Sequence, residues 1–326
     1  MTKRDAHMSK LAFIFPGQAS QYPGMGRDLA DKSPAARKVF DLADAALGFS
    51  LSHVCFEGSE DELKLTENTQ PAILTVSAAA SRVLEENGIV PDYVAGHSLG
   101  EYSALVAAGS LDFSAAVKLV RQRGRYMQEA VAPGDGAMAA ILGLAPAKVA
   151  EICKKAADAQ IVAPANLNSS EQTVISGDAA AVKRAVEIAS QNGAKRAVIL
   201  PVSAPFHCEL MKPAEIRLEH DLRATQFGPL RVPLITNVDA EEITTGEEAR
   251  GALVRQVCSA VRWEESIHEM IALDVRIFVE VGPGRVLSGL LRQIDRSVRS
   301  FNVEDSASLQ STLEKIAKAR AEISEA

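Results

Sequence analysis

A serine enclosed by glycines, Gly96-His97-Ser98-Leu99-Gly100, is the first group in this sequence able to do chemistry. Gly-x-Ser-x-Gly allows a serine to sit on a strained turn between a strand and a helix, its hydroxyl exposed as a nucleophile. The same pattern also arises in plain glycine-rich turns, so its setting carries the argument. Tyr93-Val94-Ala95, after the Pro91-Asp92 turn, reads as the end of a short strand, and Glu101 to Ala108 is helix-compatible and stops at Gly109. In that setting the glycines permit close backbone approach, and the helix N-terminus offers unpaired N–H groups to a developing oxyanion.

A serine nucleophile needs a base, and outside the polar leader that holds His7 the histidines are His53, His97, His207, His220 and His268. His97 adjoins Ser98 in the chain, which points its ring elsewhere. His220 and His268 lie in charged helical patterns and read as solvated surface groups. His207 follows a strand in the irregular segment Ser203-Ala204-Pro205-Phe206, and a strand-end loop is where α/β enzymes place a base. Between Ser98 and His207 the acids Asp112, Asp135, Asp158 and Asp178 all read as turn or helix-cap residues. The usual Ser-Asp-His order is therefore unsupported, and a serine-histidine dyad oriented by a backbone carbonyl stands as an alternative.

These groups must be held by a larger body. Leu11-Ala12-Phe13-Ile14-Phe15 is an apolar run ending at Pro16-Gly17, a buried strand that feeds a glycine-rich loop through Gly26. In open α/β sheets ligands collect at the carboxyl ends of the strands, so this loop and the serine turn are expected to face one crevice. Helical patterns follow at Pro34 to Ala46, Gln70 to Asn87 and Ser114 to Ala130, the last with Val117, Val120, Met127 and Val131 on one face. Between Gly136 and Val202 the order becomes strand, helix, strand, strand, helix, strand. That βαββαβ succession is ferredoxin-like, and its ends near Pro133-Gly134 and Pro201 mark an inserted subdomain over 133–202. The large α/β domain is expected over 9–132 and 203–310. It resumes with a helix at Pro213 to Ala224, a strand at Val232 to Thr236, helices around Glu248 to Val257 and Trp263 to Ala272, and a strand at Arg276 to Val281. A helix with a ragged charged end closes the chain from Ser306 to Ala326, with 311–326 set apart from the large domain as C-terminal helix and tail.

Composition excludes several function classes. The chain has 326 residues, 47% of them hydrophobic, enough for a sizeable core. A net charge of -7 with no run of Lys or Arg argues against nucleic acid as a partner. No apolar stretch is long enough to span a bilayer and no signal-peptide core stands at the start, so a cytoplasmic location away from membranes is expected. Cys55, Cys153, Cys208 and Cys258 are far apart with no metal-ligand spacing, and read as reduced thiols; no metal site is expected. Residues 1–7 are polar, Met8 reads as a second start, and this leader is kept out of the fold reasoning.

Several segments together resemble the malonyl-CoA:acyl carrier protein transacylase family. They are Phe15-Pro16-Gly17-Gln18-Ala19-Ser20-Gln21-Tyr22-Pro23-Gly24-Met25-Gly26, Gly96-His97-Ser98-Leu99-Gly100-Glu101-Tyr102, Gln122-Arg123-Gly124 with Met127-Gln128, Pro205-Phe206-His207 and Val281-Gly282-Pro283-Gly284. The resemblance runs in order from about Lys10 to beyond Leu291. It implies an α/β-hydrolase-like large domain with a ferredoxin-like small one, and a ping-pong transfer of malonyl from malonyl-CoA to the phosphopantetheine thiol of acyl carrier protein, supplying fatty acid synthesis without a cofactor. Residue by residue, it implies Ser98 as acylated nucleophile, His207 as base, the Gln256 carbonyl orienting the imidazole, and the amides of Gln18 and Leu99 as oxyanion hole. Arg123 would bind the malonyl carboxylate; a guanidinium offers a planar charged fork suited to that group. Spacing alone does not choose Arg123 over Arg121 or Arg125. His97 and Asn166 are expected to support the site by hydrogen bonds, and Phe206 resembles the malonyl-preferring form.

Two positions depart from the family pattern. Ala19 stands where glycine is usual, so a positive φ there would strain the loop that carries the Gln18 amide. Cys208 stands where serine is commoner after the histidine, and is expected to be a buried small residue beside the site. The competing readings are a serine thioesterase or esterase with water as acceptor, an acyltransferase serving a polyketide pathway, and a non-catalytic carrier-binding module, which would be expected to lose Ser98 or His207.

Overall fold

In a computed structural model of the chain, residues 10–202 and 204–325 are described, with side chains through 319. The leader with His7, Ser203 of the segment before the base, and Ala326 lie outside the described residues. The strands are β1 (Lys10–Phe15), β2 (Tyr93–Gly96), β3 (Gly136–Leu142), β4 (Val162–Ser169), β5 (Gln172–Asp178), β6 (Arg196–Ile199), β7 (Leu234–Ile235), β8 (Glu242–Ile243), β9 (Val275–Val281) and β10 (Arg299–Val303).

Six strands form one sheet in the order β10-β9-β1-β2-β7-β8, parallel from β10 to β7 with β8 antiparallel at the edge. The apolar run of β1 is continuous because both of its faces are covered, as parallel sheets require. Leu11, Phe13 and Phe15 enter one hydrophobic cluster, while Ala12 and Ile14 enter a second cluster on the opposite face with Trp263 and Phe278. Helix Thr66–Glu86 packs along helix Phe113–Glu129 on the first face, and Val117, Val120 and Met127 are buried there as the helical period required.

The second sheet has the order β4-β5-β3-β6 and is antiparallel throughout. Helices Pro146–Ala157 and Ala179–Gln191 cover one face of it around their own apolar cluster, centred on Ile141, Ile152 and Ile175. That is the βαββαβ unit expected from the sequence.

Several elements differ from expectation. The strand expected over Val232 to Thr236 shrinks to Leu234–Ile235, and β10, β8 and helix Val286–Ile294 were not anticipated. Short helices Arg27–Lys32, Leu51–Phe56 and Glu60–Lys64 fill the stretch after the first loop, where no period could show. The final helix begins at Ser306, as the sequence led us to expect, and it seats Ile316 and Ala319 in the main core. No helix of the described residues is long and apolar enough to cross a membrane.

Candidate active site

The serine turn takes its shape from crowding. β2 ends at Gly96 and a helix begins at Gly100, so strand and helix are separated by three residues. A side chain at Gly96 would place its Cβ 1.9 Å from the Gly100 carbonyl carbon, and one at Gly100 would stand 2.0 Å from Phe15 O. Confined in this way, Ser98 adopts φ 52°, a left-handed conformation that costs a non-glycine residue energy and aims its hydroxyl out of the turn. Ala19 (φ 80°) and His207 (φ 61°) are strained in the same sense, and all three line one cavity of about 240 Å³. Its walls come from both sheets: Gln18, Ser98 and Leu99 on one side, Met138, Asn166 and Val174 on the other, with Leu287 and Leu290 of helix Val286–Ile294 completing the lining.

Ser98 Oγ lies 2.7 Å from His207 Nε2. His207 Nδ1 lies 2.9 Å from the main-chain oxygen of Gln256. That oxygen can only accept, so the proton sits on Nδ1 and Nε2 is left as the acceptor for the serine hydroxyl. Burial, with the nearby Arg123 charge, depresses the His207 pKa to about 3. The imidazole is therefore neutral near pH 7, the form that can take a proton. The four acids weighed as triad partners stand elsewhere: Asp112 caps helix Phe113–Glu129 by accepting from Ala115 N, and Asp178 accepts from Ile161 N.

Arg123 is buried in helix Phe113–Glu129 with 1% exposure. Its Nη1 donates to Gln70 Oε1 at 2.9 Å, and its Nη2 donates to Ser98 Oγ at 3.1 Å and to Gln256 Oε1 at 3.0 Å. The helix turns its neighbours away from the cavity. Arg121 stacks on Phe49 with 4.2 Å to the ring centroid, and Arg125 is exposed and paired with Glu129. Of the three arginines that spacing left open, only Arg123 lines the cavity.

Leu99 precedes helix Gly100–Ala107 and Gln18 lies in the loop after β1, and both line the cavity. Among the described residues neither backbone amide is taken by a protein acceptor. Ala19 does adopt the positive φ that glycine would accommodate, and its own N–H donates to Gln21 Oε1 at 2.8 Å.

His97 points away from Ser98, as adjacency suggested. Its Nε2 lies 2.9 Å from Asn168 Oδ1 and its ring packs on Trp263 at 5.5 Å. The asparagine bonded to His97 is Asn168. Asn166 forms part of the cavity wall and bridges to Val261 through its backbone. His53, His220 and His268 are exposed. Cys208 is buried with its thiol donating to Pro205 O at 3.1 Å, and burial pushes its pKa up, away from the reactive thiolate. Among the described residues no cluster of three His, Cys, Asp or Glu could hold a metal ion.

Sequence reasoning missed four groups at this site: Gln70, Asn168, Asn237 and Glu101. Asn237 Oδ1 accepts from Ser98 N at 2.7 Å while its Nδ2 donates to Gly96 O at 2.6 Å, clamping the serine turn from both sides. It follows β7, the parallel neighbour of β2, and the carboxyl end of that strand was the available signal. Glu101 looked like an ordinary first-turn helix residue, yet it is 1% exposed.

Comparison with known proteins places the chain in a family. A family model described as acyl transferase domain matches residues 12–322. The malonyl CoA-acyl carrier protein transacylase of Bacillus subtilis is 49% identical over 93% of this chain and 96% of its own length. The protein of that name from Escherichia coli is 46% identical over 94% and 100%. Among solved structures, the malonyl CoA-acyl carrier protein transacylase of Coxiella burnetii superposes with a TM-score of 0.93 at 43% identity, over 94% of this chain and 98% of that one. A type II PKS acyl-carrier protein in complex with its malonyl-transacylase gives 0.92 at 45% identity, over 94% and 100%. The chain therefore belongs to the acyl transferase domain family, and within it to the malonyl CoA-acyl carrier protein transacylases.

Proposed function

We propose that this protein moves the malonyl group of malonyl-CoA to the phosphopantetheine thiol of acyl carrier protein through a malonyl ester on Ser98. His207 Nε2 takes the Ser98 proton as Oγ attacks the thioester carbonyl, and the amides of Leu99 and Gln18 hold the oxyanion. Collapse expels CoA, whose sulfur receives the proton from His207. The thiol of the carrier then enters by the same steps in reverse order, giving its proton to His207 and releasing Ser98. Arg123 holds the malonyl carboxylate throughout. The thioester is already activated, so the reaction as read calls on no metal or redox group.

One observation carries the reading: the buried guanidinium of Arg123 stands beside Ser98 Oγ, where it can select an acyl group bearing its own carboxylate. The named relatives and the carrier-bound neighbour support the two substrates. We also read residues 133–202 as a small subdomain that closes the cavity over the serine, since β3, β4 and β5 supply Met138, Asn166 and Val174 to its wall. A hydrolase is disfavoured because a backbone carbonyl and not a carboxylate backs His207. The carrier of a polyketide assembly fits the same chemistry, as the carrier-bound neighbour illustrates.

The test is partition of the acyl group. Malonyl-CoA incubated with the protein should be consumed catalytically only when a holo carrier protein is present, with malonyl appearing on the carrier by mass. Release to water at the same rate without carrier would establish a thioesterase instead.

A further inference from the structure

Arg123 presents an unusual charge arrangement. Its guanidinium is buried, its hydrogen bonds go to the neutral oxygens of Gln70, Ser98 and Gln256, and no carboxylate of the described residues pairs with it directly. An isolated buried cation is costly unless a counter-charge lies near. Glu101 supplies one at one remove. The Gln256 side chain lies between them, its Oε1 accepting from Arg123 at 3.0 Å and its Nε2 donating to Glu101 Oε2 at 2.8 Å. Both charges select the same amide orientation, the oxygen toward the cation and the NH2 toward the anion.

Gln256 is also the residue whose main-chain oxygen orients His207, and its Nε2 reaches Ser98 O at 3.0 Å. Glu101 Oε2 accepts in addition from Asn237 N at 3.1 Å, the residue that clamps the Ser98 turn. Glu101 thus touches both residues that hold the nucleophile and the base, and touches neither reacting atom.

Resting on the Ser98-His207-Arg123 reading above, we propose that the ionised carboxylate of Glu101 is a positioning residue, fixing Gln256 and Asn237 so that His207, Ser98 and Arg123 stay in register. The carboxylate form suits this role because only an anion balances the buried Arg123 charge through Gln256, and a proton on either oxygen removes that counter-charge and weakens Oε2 as acceptor of its two N–H donors. Burial pushes the Glu101 carboxyl up to about 7, against the hydrogen bonds from Gln256 and Asn237 and the Arg123 charge, with Asp239 adding to the rise. Facing groups are Arg123 from helix Phe113–Glu129, Tyr102 from its own helix, Asp239 after β7, and Arg255 from helix Gly246–Gln256, which pairs with Asp239. Burial and the Arg123 charge hold the His207 imidazole low, so Glu101 is the group expected to give an acid limb near neutrality.

The experiment is the rate of Ser98 acylation by malonyl-CoA in the full chain against pH, at two temperatures, in the native protein and in Glu101→Gln and Glu101→Asp. The native rate should fall below about pH 7, with a midpoint that hardly moves on warming, as for a carboxyl group. Glu101→Gln should lose that limb and run roughly 10- to 100-fold slower at its plateau, the scale expected of a small misplacement. Glu101→Asp should keep a limb at an intermediate rate. A midpoint that drops on warming as an imidazole's does, a native profile with no acid limb, or the same limb retained in Glu101→Gln overturns the proposal. If Glu101→Gln does not fold, the temperature dependence of the native limb decides alone. Absence of any serine adduct would defeat the reading of the site itself; an adduct formed without a Glu101-dependent limb defeats only this inference.

Discussion

Arg123 Nη2 donates to the Oγ of Ser98 at 3.1 Å, so the cation proposed to recognise the substrate's carboxylate also touches the nucleophile. Recognition and reaction are thereby built into one hydrogen-bond cluster. The incoming malonyl carboxylate would supply the direct ionic partner that Arg123 otherwise reaches only through Gln256.

Replacing Arg123 should therefore alter selectivity as well as rate. Removing one partner of a desolvated charge pair costs about 2–5 kcal/mol, so Arg123→Ala should lose that much in kcat/KM for malonyl-CoA while the discrimination against acetyl-CoA shrinks. Arg123→Lys should recover only part, because an ammonium keeps the charge without the planar fork. Specificity constants for both thioesters check this; an unchanged malonyl-to-acetyl ratio in Arg123→Ala would remove the residue from substrate recognition.

His207 serves both half-reactions if the dyad is the machinery. His207→Ala should slow acylation and transfer to carrier each by at least roughly 10²-fold, the lower range for general base catalysis. Stopped-flow measurement of the two halves separately tests it, and loss of only one half would assign the other to a different base.

The two buried titrating groups pull stability in opposite directions. His207 has its folded pKa depressed from 6.5 to about 3, so the unfolded chain binds more protons between those values and stability is lost as pH falls through that window. Glu101 has its folded pKa raised from 4.5 to about 7, so the folded chain binds more protons and stability grows as pH falls from 7 to 4.5. Over the shared window from pH 6.5 to 4.5 they offset one another. Glu101→Gln should then lose stability more steeply on acidification than the native protein, and His207→Asn less steeply. Urea unfolding at pH 7.5 and pH 5 decides, and identical slopes in all three proteins would contradict the assignment of these shifts.

Ala19 holds a φ of 80° next to the Gln18 amide. A non-glycine residue there costs about 1–3 kcal/mol, and glycine gives back about 0.4–1 kcal/mol through the entropy of the unfolded chain. Ala19→Gly should thus stabilise the protein by about 1 kcal/mol, within a span of about 0–2.6 kcal/mol, with acylation kept, read as a rise in the unfolding midpoint. A lower midpoint would show that the loop carries no strain at this position.

Much of this could be read from residues alone, for identifiable reasons. The run Leu11 to Phe15 is legible because a central parallel strand is buried on both faces, and helix Pro146–Ala157 because its proline and its apolar period mark both start and face. Helix Val286–Ile294 was hidden behind Gly282-Pro283-Gly284 and interrupted by Gly289. Helices Leu51–Phe56 and Glu60–Lys64 are too short to show a period. Ser98 and His207 announce themselves through glycines and a loop position. Glu101, Asn168 and Asn237 do not, because their value lies in contacts across 71 to 155 residues of chain that only the packed sheets create.

The most direct measurement is peptide mapping of the protein after brief exposure to malonyl-CoA. The account predicts a single malonyl mass increment on the peptide that carries Ser98, discharged when holo acyl carrier protein is added and missing from Ser98→Ala. A malonyl group found on Cys208 or any other residue, or retained in Ser98→Ala, would contradict it.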